Sequence, residues 1–199
     1  PLFVLVPGSV PANDLKGWIE WAKQQPGPLP FASAGVGSFG HLASELFAKA
    51  AGLKMTHIPY RGQAPTTTAA LTGEVALLIT SMSSAMREHI TAGKLKLLGI
   101  TSAAAHSQNP GVPPVSNVLP GYAAETWFGF ITTAGTPPDV LARLNREINT
   151  ILGMKDIQDK MVALGQQVKT MTPAQLGALI AEDSARWGQV VRETNISAN

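Results

Sequence analysis

Five short strand-like runs, separated from one another by stretches with helical spacing, constrain this chain more than any other feature. They are Leu2 to Val6, Leu29 to Ala32, Met55 to Ile58, Val75 to Ile79 and Leu95 to Ile100. Consecutive parallel strands need a long crossover, usually a helix, and the intervening segments have that length. The pattern predicts βαβ units and a mainly parallel sheet covered by helices on both faces, an α/β fold. Ligands in such sheets sit beyond the carboxyl ends of the strands. Three of the runs end in polar turns: Ser33 to Ser38, Pro59 to Gly62, and Thr80 to Ser84. Their convergence is the sequence argument for a site.

The helices follow from caps and periodicity. Asp14 opens the first, which turns Leu15, Trp18, Ile19 and Ala22 inward and stops at Pro26-Gly27-Pro28. Ser38 caps the second, with Leu42, Leu46, Phe47 and Ala50 on one face and Gly52 at its end. A short helix from Pro65 to Leu71 ends at Gly73, and another, with Ala85, Met86 and Ile90, ends at Gly93. From Thr101 to Gly121 the pattern breaks into Ala, Ser, Pro and Gly, an irregular connection and domain boundary. Beyond it the sequence predicts a strand over Glu125 to Thr132 and a helix whose stripe is Leu141, Leu144, Ile148 and Ile151. A helix over Lys155 to Leu164 and a strand near Gln167 and Val168 follow. Thr172 and Pro173 cap a final helix with inner face Leu176, Ile180, Trp187 and Val191. Three helices and two strands leave this part short of partners.

The first turn carries the chemistry. Small residues ahead of a helix start let a ligand's oxygens approach N–H groups that have no intrahelical acceptor, so anions bind there. Ser33 and Ser38 add hydroxyls. Gly35, Gly37 and Gly40 also satisfy G-x-G-x-x-G, but that reading needs an acidic residue about 20 positions on, and none occurs from Leu46 to Gly73. A small-carboxylate pocket is favoured over a dinucleotide site or a bare structural turn. His41, in the first helical turn, either contacts the ligand or orders the turn. Tyr60 and Arg61 face the cleft or solvent. Trp127, at the domain boundary, is read as core.

Other chemistry is poorly provided for. The chain has no Cys, and Phe31 stands where a nucleophile elbow needs its first Gly. His41 and Glu45 share a helix face, but the other histidines lack metal-site spacing, and His89 and His106 are expected at the surface. The formal net charge is +2 with no run of Lys or Arg, so nucleic acid is not an expected partner. No apolar stretch is long enough to span a bilayer and no signal-peptide pattern opens the chain. A start at Pro1 without an initiator Met reads as a processed or excised piece.

Four ordered motifs carry a resemblance: FASAGVGSFGHLASELF at 31–47, HIPYRGQAP at 57–65, AGKLKLLGITS at 92–102, and WFGF at 127–130 with AGTPPDVLARLN at 134–145. Together they resemble the Bug family, substrate-binding proteins of tripartite tricarboxylate transporters. The resemblance implies a type II periplasmic-binding-protein fold: two lobes with mainly parallel sheets flanked by helices, no cofactor and no catalysis. Residues 1–122 resemble the second lobe, with a crossover strand at 2–6, and residues 123–199 the returning C-terminal part of the first. The amino-terminal half of the first lobe is missing. Site residues implied by the resemblance are Ser33, Ala34, Gly35, Gly37, Ser38 and His41 in the first turn, Tyr60 in the second, and Thr80 or Ser81 in the third. At Ser81 many relatives resemble an acidic position, which disfavours an amino-acid ligand here.

The resulting expectation is a periplasmic solute-binding protein. It captures a small organic carboxylate by closure about a hinge near Val6 to Pro7 and Tyr122 to Thr126, and delivers it to membrane transporter subunits. Self-association is one way an incomplete lobe would cover its apolar surface. The rivals are the ligand-sensing domain of a LysR-like transcription regulator and, behind it, a dinucleotide-binding oxidoreductase domain.

Overall fold

The computed structural model describes residues 1–106, 109–163, 166–194 and 196. Contacts divide the chain into two compact units, residues 1–126 with 189–199, and residues 127–188. The sequence reading drew its boundary after Tyr122.

The first unit is built on one sheet of β1 (Phe3–Pro7), β2 (Leu29–Ser33), β3 (Met55–Pro59), β4 (Leu77–Thr80) and β5 (Leu95–Ile100), in the order β3-β2-β4-β1-β5. β2 runs parallel to β3 and β4, while β1 lies antiparallel between β4 and β5. The five residues of β1 are all buried, as a continuous apolar run between two neighbours requires.

Helices α1 (Leu15–Lys23), α2 (Phe39–Ala51), α3 (Gln63–Thr72) and α4 (Ser84–Thr91) cover the sheet. α1 forms as its cap and stripe predict: Asp14 accepts the Gly17 N–H at 2.7 Å, and Leu15, Trp18, Ile19 and Ala22 are buried. Trp18 packs on Phe47 of α2, and Tyr122 meets Phe47 edge-on. A separate cluster joins Phe3, Leu5, Ala69, Ala70, Leu78, Met86 and Ile100.

The buried face of α2 differs from the expected one. His41, Ala43, Ser44, Phe47, Ala48 and Ala51 point inward, Leu42 and Leu46 are half-buried, and Ala50 is exposed. Small residues win because the helix starts in close contact with the sheet: a Cβ on Gly40 would lie 2.7 Å from the Ile79 carbonyl oxygen. The helix therefore presents its narrow face.

The connection after β5 is irregular yet not peripheral. Pro114 bridges to Ile100, and Val115, Tyr122 and Ala124 are buried. His106 is buried as well, at 5% exposure, which corrects its expected surface position: residues 101–106 and 109–124 fold back over the sheet edge. The Thr101 hydroxyl gathers both ends of this unit, accepting the Leu2 N–H at 2.7 Å and donating to the Ala124 carbonyl.

The expected hinge pairs Val6 and Pro7 with the segment 122–126. Because β1 is antiparallel, Pro7 pairs with Leu95 at one end of β5, while Phe3 pairs with Ile100 at the other. Val6 and Pro7 thus lie at the opposite end of β5 from Thr101, the residue bonded to both Leu2 and Ala124.

In the second unit the helices are α5 (Pro138–Gly153), α6 (Lys155–Ala163) and the larger part of α7 (Pro173–Thr194). Leu164, the expected end of α6, lies outside the described residues. Thr172 and Gln175 form a reciprocal cap for α7. The strands expected over 125–132 and near 167–168 do not form. Among the described residues no strand lies alongside to take their hydrogen bonds, and β-propensity without a partner makes only extended chain. Phe128 is 85% exposed, and Phe130 and Ile131 are similarly open. α5 keeps its amphipathic stripe but buries none of it; of the face expected for α7, Leu176, Trp187 and Val191 are half-buried and Ile180 is exposed, while Val190 is buried. Trp127 is held at the surface by an Nε1–H bond to Asp183 rather than in a core.

Candidate functional site

Strand order decides where the three polar turns fall. β3, β2 and β4 are adjacent and parallel, so their carboxyl ends lie on one edge of the sheet. The turn after β2 stands between the other two. The Tyr60 N–H donates to the Ser33 carbonyl at 2.9 Å, joining the first turn to the second. Gln63 joins the second to the third, its side-chain amide donating to Thr80 Oγ1 and to the Ser81 carbonyl.

Within the first turn, Gly35 (φ 140°) and Gly37 (φ 74°) hold conformations that side chains resist. Ser38 caps α2, its hydroxyl accepting the His41 N–H at 3.4 Å, and its own N–H returns to the Gly35 carbonyl. Gly35 N–H donates to Ser33 Oγ at 3.2 Å and Gly37 N–H to His41 Nδ1 at 3.1 Å. Three amides of the turn are therefore spent inside the protein. Among the described residues the Ala34 and Val36 N–H groups have no protein acceptor, and both residues are exposed. These two amides, with the positive end of α2 behind them, are what the turn offers an anion.

The other candidates separate by exposure. Ser33 is 1% exposed and His41 4%, so both stand behind the surface. His41 orders the turn through Gly37; its Nε2 faces Glu45 at 3.7 Å. Burial lowers the His41 pKa and raises that of Glu45, so neither group favours its charge. Tyr60 packs against the core cluster that includes Ala69 and Ala70 of α3. Its hydroxyl is buried without a well-formed hydrogen bond, and burial first, then the nearby Glu74 carboxylate, push its pKa up to about 12. Tyr60 thus gives the turn cluster its backbone, not its hydroxyl. Ser81 is exposed, Thr80 half-buried, and Arg61 lies in solvent.

Two residues that sequence reasoning passed over belong here. Gln63 braces the third turn. His57, opposite Phe31 in the ladder, reaches Ser33 Oγ with Nε2 at 2.6 Å and stacks on His41 at 3.6 Å between ring centroids. The period of a strand held the signal: His57 is paired with Phe31 and lies two residues before the end of β3. A shallow recess lined by Pro7, Val10, Trp21 and Val75 lies at the opposite edge of the sheet and holds none of the candidates. Among the described residues no cluster of His, Cys, Asp or Glu could hold a metal ion, and no helix is long and apolar enough to cross a membrane.

The first unit is thus an α/β layer with three polar turns gathered at the carboxyl edge of its sheet, the edge where ligands of such sheets sit. The chain belongs to the tripartite tricarboxylate transporter family receptor (TctC) family, whose description matches residues 1–196. It is 35% identical over its whole length to the UPF0065 protein in the tcbD-tcbE intergenic region of Pseudomonas sp. strain P51, and 34% identical over 98% of its length to BugT of Bordetella pertussis. It spans 60% of each of these relatives. Among solved structures it is similar to R. palustris Rpa4515 with adipate (TM-score 0.82, 28% identity, 99% of this chain and 66% of that one). It is also similar to MatC from Rhodopseudomonas palustris with bound malate (TM-score 0.73, 26% identity, 96% and 66%). The family is one of receptors rather than enzymes, and a structural neighbour, BugD, is a periplasmic binding protein. The likeness to the Bug family and the type II periplasmic-binding-protein fold class stand on these matches.

Proposed function

We propose that this chain is the ligand-gripping part of a periplasmic receptor that captures a small organic carboxylate for a tripartite tricarboxylate-type transporter. The observation that carries the reading is the pair of amides of two exposed residues, Ala34 and Val36, without protein acceptors and set between two further polar turns. Backbone N–H groups at a helix start suit a carboxylate because they supply directed donors without a competing charge. Ser38, Gly35, Gly37 and Ser81 are the neighbours a bound carboxylate would meet, with Thr80 behind them. Family membership and the adipate and malate carried by two structural neighbours support the same ligand chemistry. On this reading residues 1–122 are the second lobe, residues 123–199 are the returning part of the first, and membrane subunits recognise the loaded receptor. The exposed Phe128, Phe130 and Ile131 are where self-association of this chain would act.

Calorimetric titration of the full-length protein with adipate, malate, a tricarboxylate, amino acids and aromatic acids tests the proposal. Binding of at least one di- or tricarboxylate, weakened by Ser38→Ala, is expected. Silence across the panel overturns it.

A further inference from the structure

The Ser33 to Ser38 turn is held from outside by two imidazoles, and their hydrogen bonds fix where every proton lies. Ser33 Oγ is 2.8 Å from the Gly35 carbonyl, which can only accept, so the single Ser33 proton points there. His57 Nε2, 2.6 Å from the same oxygen, must then carry a proton and donate it. Ser33 Oγ also accepts the Gly35 N–H, so Gly35 is gripped through both of its backbone groups. His41 accepts the Gly37 N–H on Nδ1, which leaves its own proton on Nε2. The two rings stack at 3.6 Å and 15°, with Phe31 against His57 at 5.0 Å. Held and unheld amides therefore alternate from 34 to 37: 35 and 37 are bonded inside the protein, as 38 is, while 34 and 36 are not.

We propose that His57 is a positioning residue of the anion site: its Nε2–H sets the Ser33 hydroxyl, which holds Gly35 while the stacked His41 holds Gly37, leaving the Ala34 and Val36 amides for the ligand. This rests on the receptor reading for the ligand's identity but not for the hydrogen-bond pattern. Ser33, a candidate contact by sequence, becomes part of the frame, since its proton and both acceptor positions are used within the protein. The pair works as neutral rings, because burial and the neighbouring His41 bring the His57 pKa down to about 4.

Two measurements on the full-length protein test this. The first is two-bond 15N–1H NMR of the histidine rings at neutral pH without ligand. The expected result is Nε2-protonated His57 and His41, with the His57 signals moved by Ser33→Ala; an Nδ1-protonated His57, or one indifferent to Ser33→Ala, overturns the inference. The second is calorimetric titration with adipate and malate. His57→Phe, which keeps a ring in the stack but removes the donor, is expected to weaken whichever acid binds by about tenfold or more. His57→Gln, whose amide donates from a similar place, should recover most of that loss. Wild-type affinity in His57→Phe, at unchanged thermal stability, overturns the inference. If the wild type binds neither acid the receptor reading fails for these ligands, and the ring protonation pattern still decides the role of His57.

Discussion

Trp18 and Leu144 both lie on the apolar stripes of amphipathic helices, and their fates differ. Trp18 of α1 is fully buried against Phe47, while Leu144 of α5 is 41% exposed. The helices are comparable in sequence pattern; what separates them is the layer beneath. The first unit supplies a five-stranded sheet, whereas the described residues 127–188 supply no strand. A helical stripe is only an offer of burial, and most of its stabilisation comes when a second layer accepts it.

The largest effect expected from this contrast is on stability. Trp18→Ala should cost about 3–5 kcal/mol by transfer and cavity terms, whereas Leu144→Ala should stay within about 0.5 kcal/mol. Urea denaturation of each variant measures both. Comparable losses would show that the α5 stripe is covered in solution and would dissolve the contrast.

A smaller effect is expected where the first unit ties its ends. Thr101→Val leaves the Leu2 N–H and the Ala124 carbonyl each short of a buried hydroxyl partner, a cost of roughly 2 kcal/mol. Thr101→Ser should be milder, since it keeps the hydroxyl. Amide exchange at Leu2 reads the knot directly: it should quicken in the valine variant and remain slow in the serine one. Equal exchange in both would remove Thr101 from the account.

Local rules made the first unit legible. The Asp14 and Ser38 caps, the α1 stripe, the αL ends at Gly52 and Gly73, and the five strand-like runs all depend on residues close in sequence, and the structure realises them. Burial of His106, the choice of face on α2, and the position of Pro7 at the opposite end of β5 from Thr101 depend on long-range neighbours that periodicity does not encode. The strand expected at 125–132 failed for the same reason: Phe128, Phe130 and Ile131 have strand chemistry, but pairing is a property of two segments. At the site, the turns were legible from their composition. His57 was not, because its role comes from a cross-strand stack and not from its immediate neighbours.

Acid separates the two units as well. All four histidines lie in the first unit and none in residues 127–188. His41, His57 and His106 have lowered pKa values, chiefly from burial, so the folded state resists taking up protons that the unfolded chain accepts near 6.5. Their contribution is complete above about pH 6.5 and is lost as pH falls toward about 4, the folded value for His57. Glu45 acts in the opposite sense, since its raised value returns stability as it takes a proton. Three groups against one predict a net loss through this window. Denaturation midpoints between pH 7 and pH 4.5 should fall for probes in the first unit, and His57→Phe should flatten the slope. A profile unchanged by that substitution would remove His57 from the acid response.

The smallest expected effect concerns how the helices begin. α2 starts behind a serine whose hydroxyl accepts the His41 N–H, while α5 starts at Pro138 behind Pro137 and has no side-chain cap to lose. Ser38→Ala should therefore cost about 1 kcal/mol, and Ser38→Gly only a few tenths. The pair of variants also separates the two duties proposed for this residue. Both lack the hydroxyl, so a direct contact with a bound carboxylate would weaken binding equally in the two, whereas a loss that follows capping would appear mainly in the alanine variant. Calorimetry with the same dicarboxylate, set beside the urea midpoints, distinguishes a serine that grips the ligand from one that only starts the helix behind it.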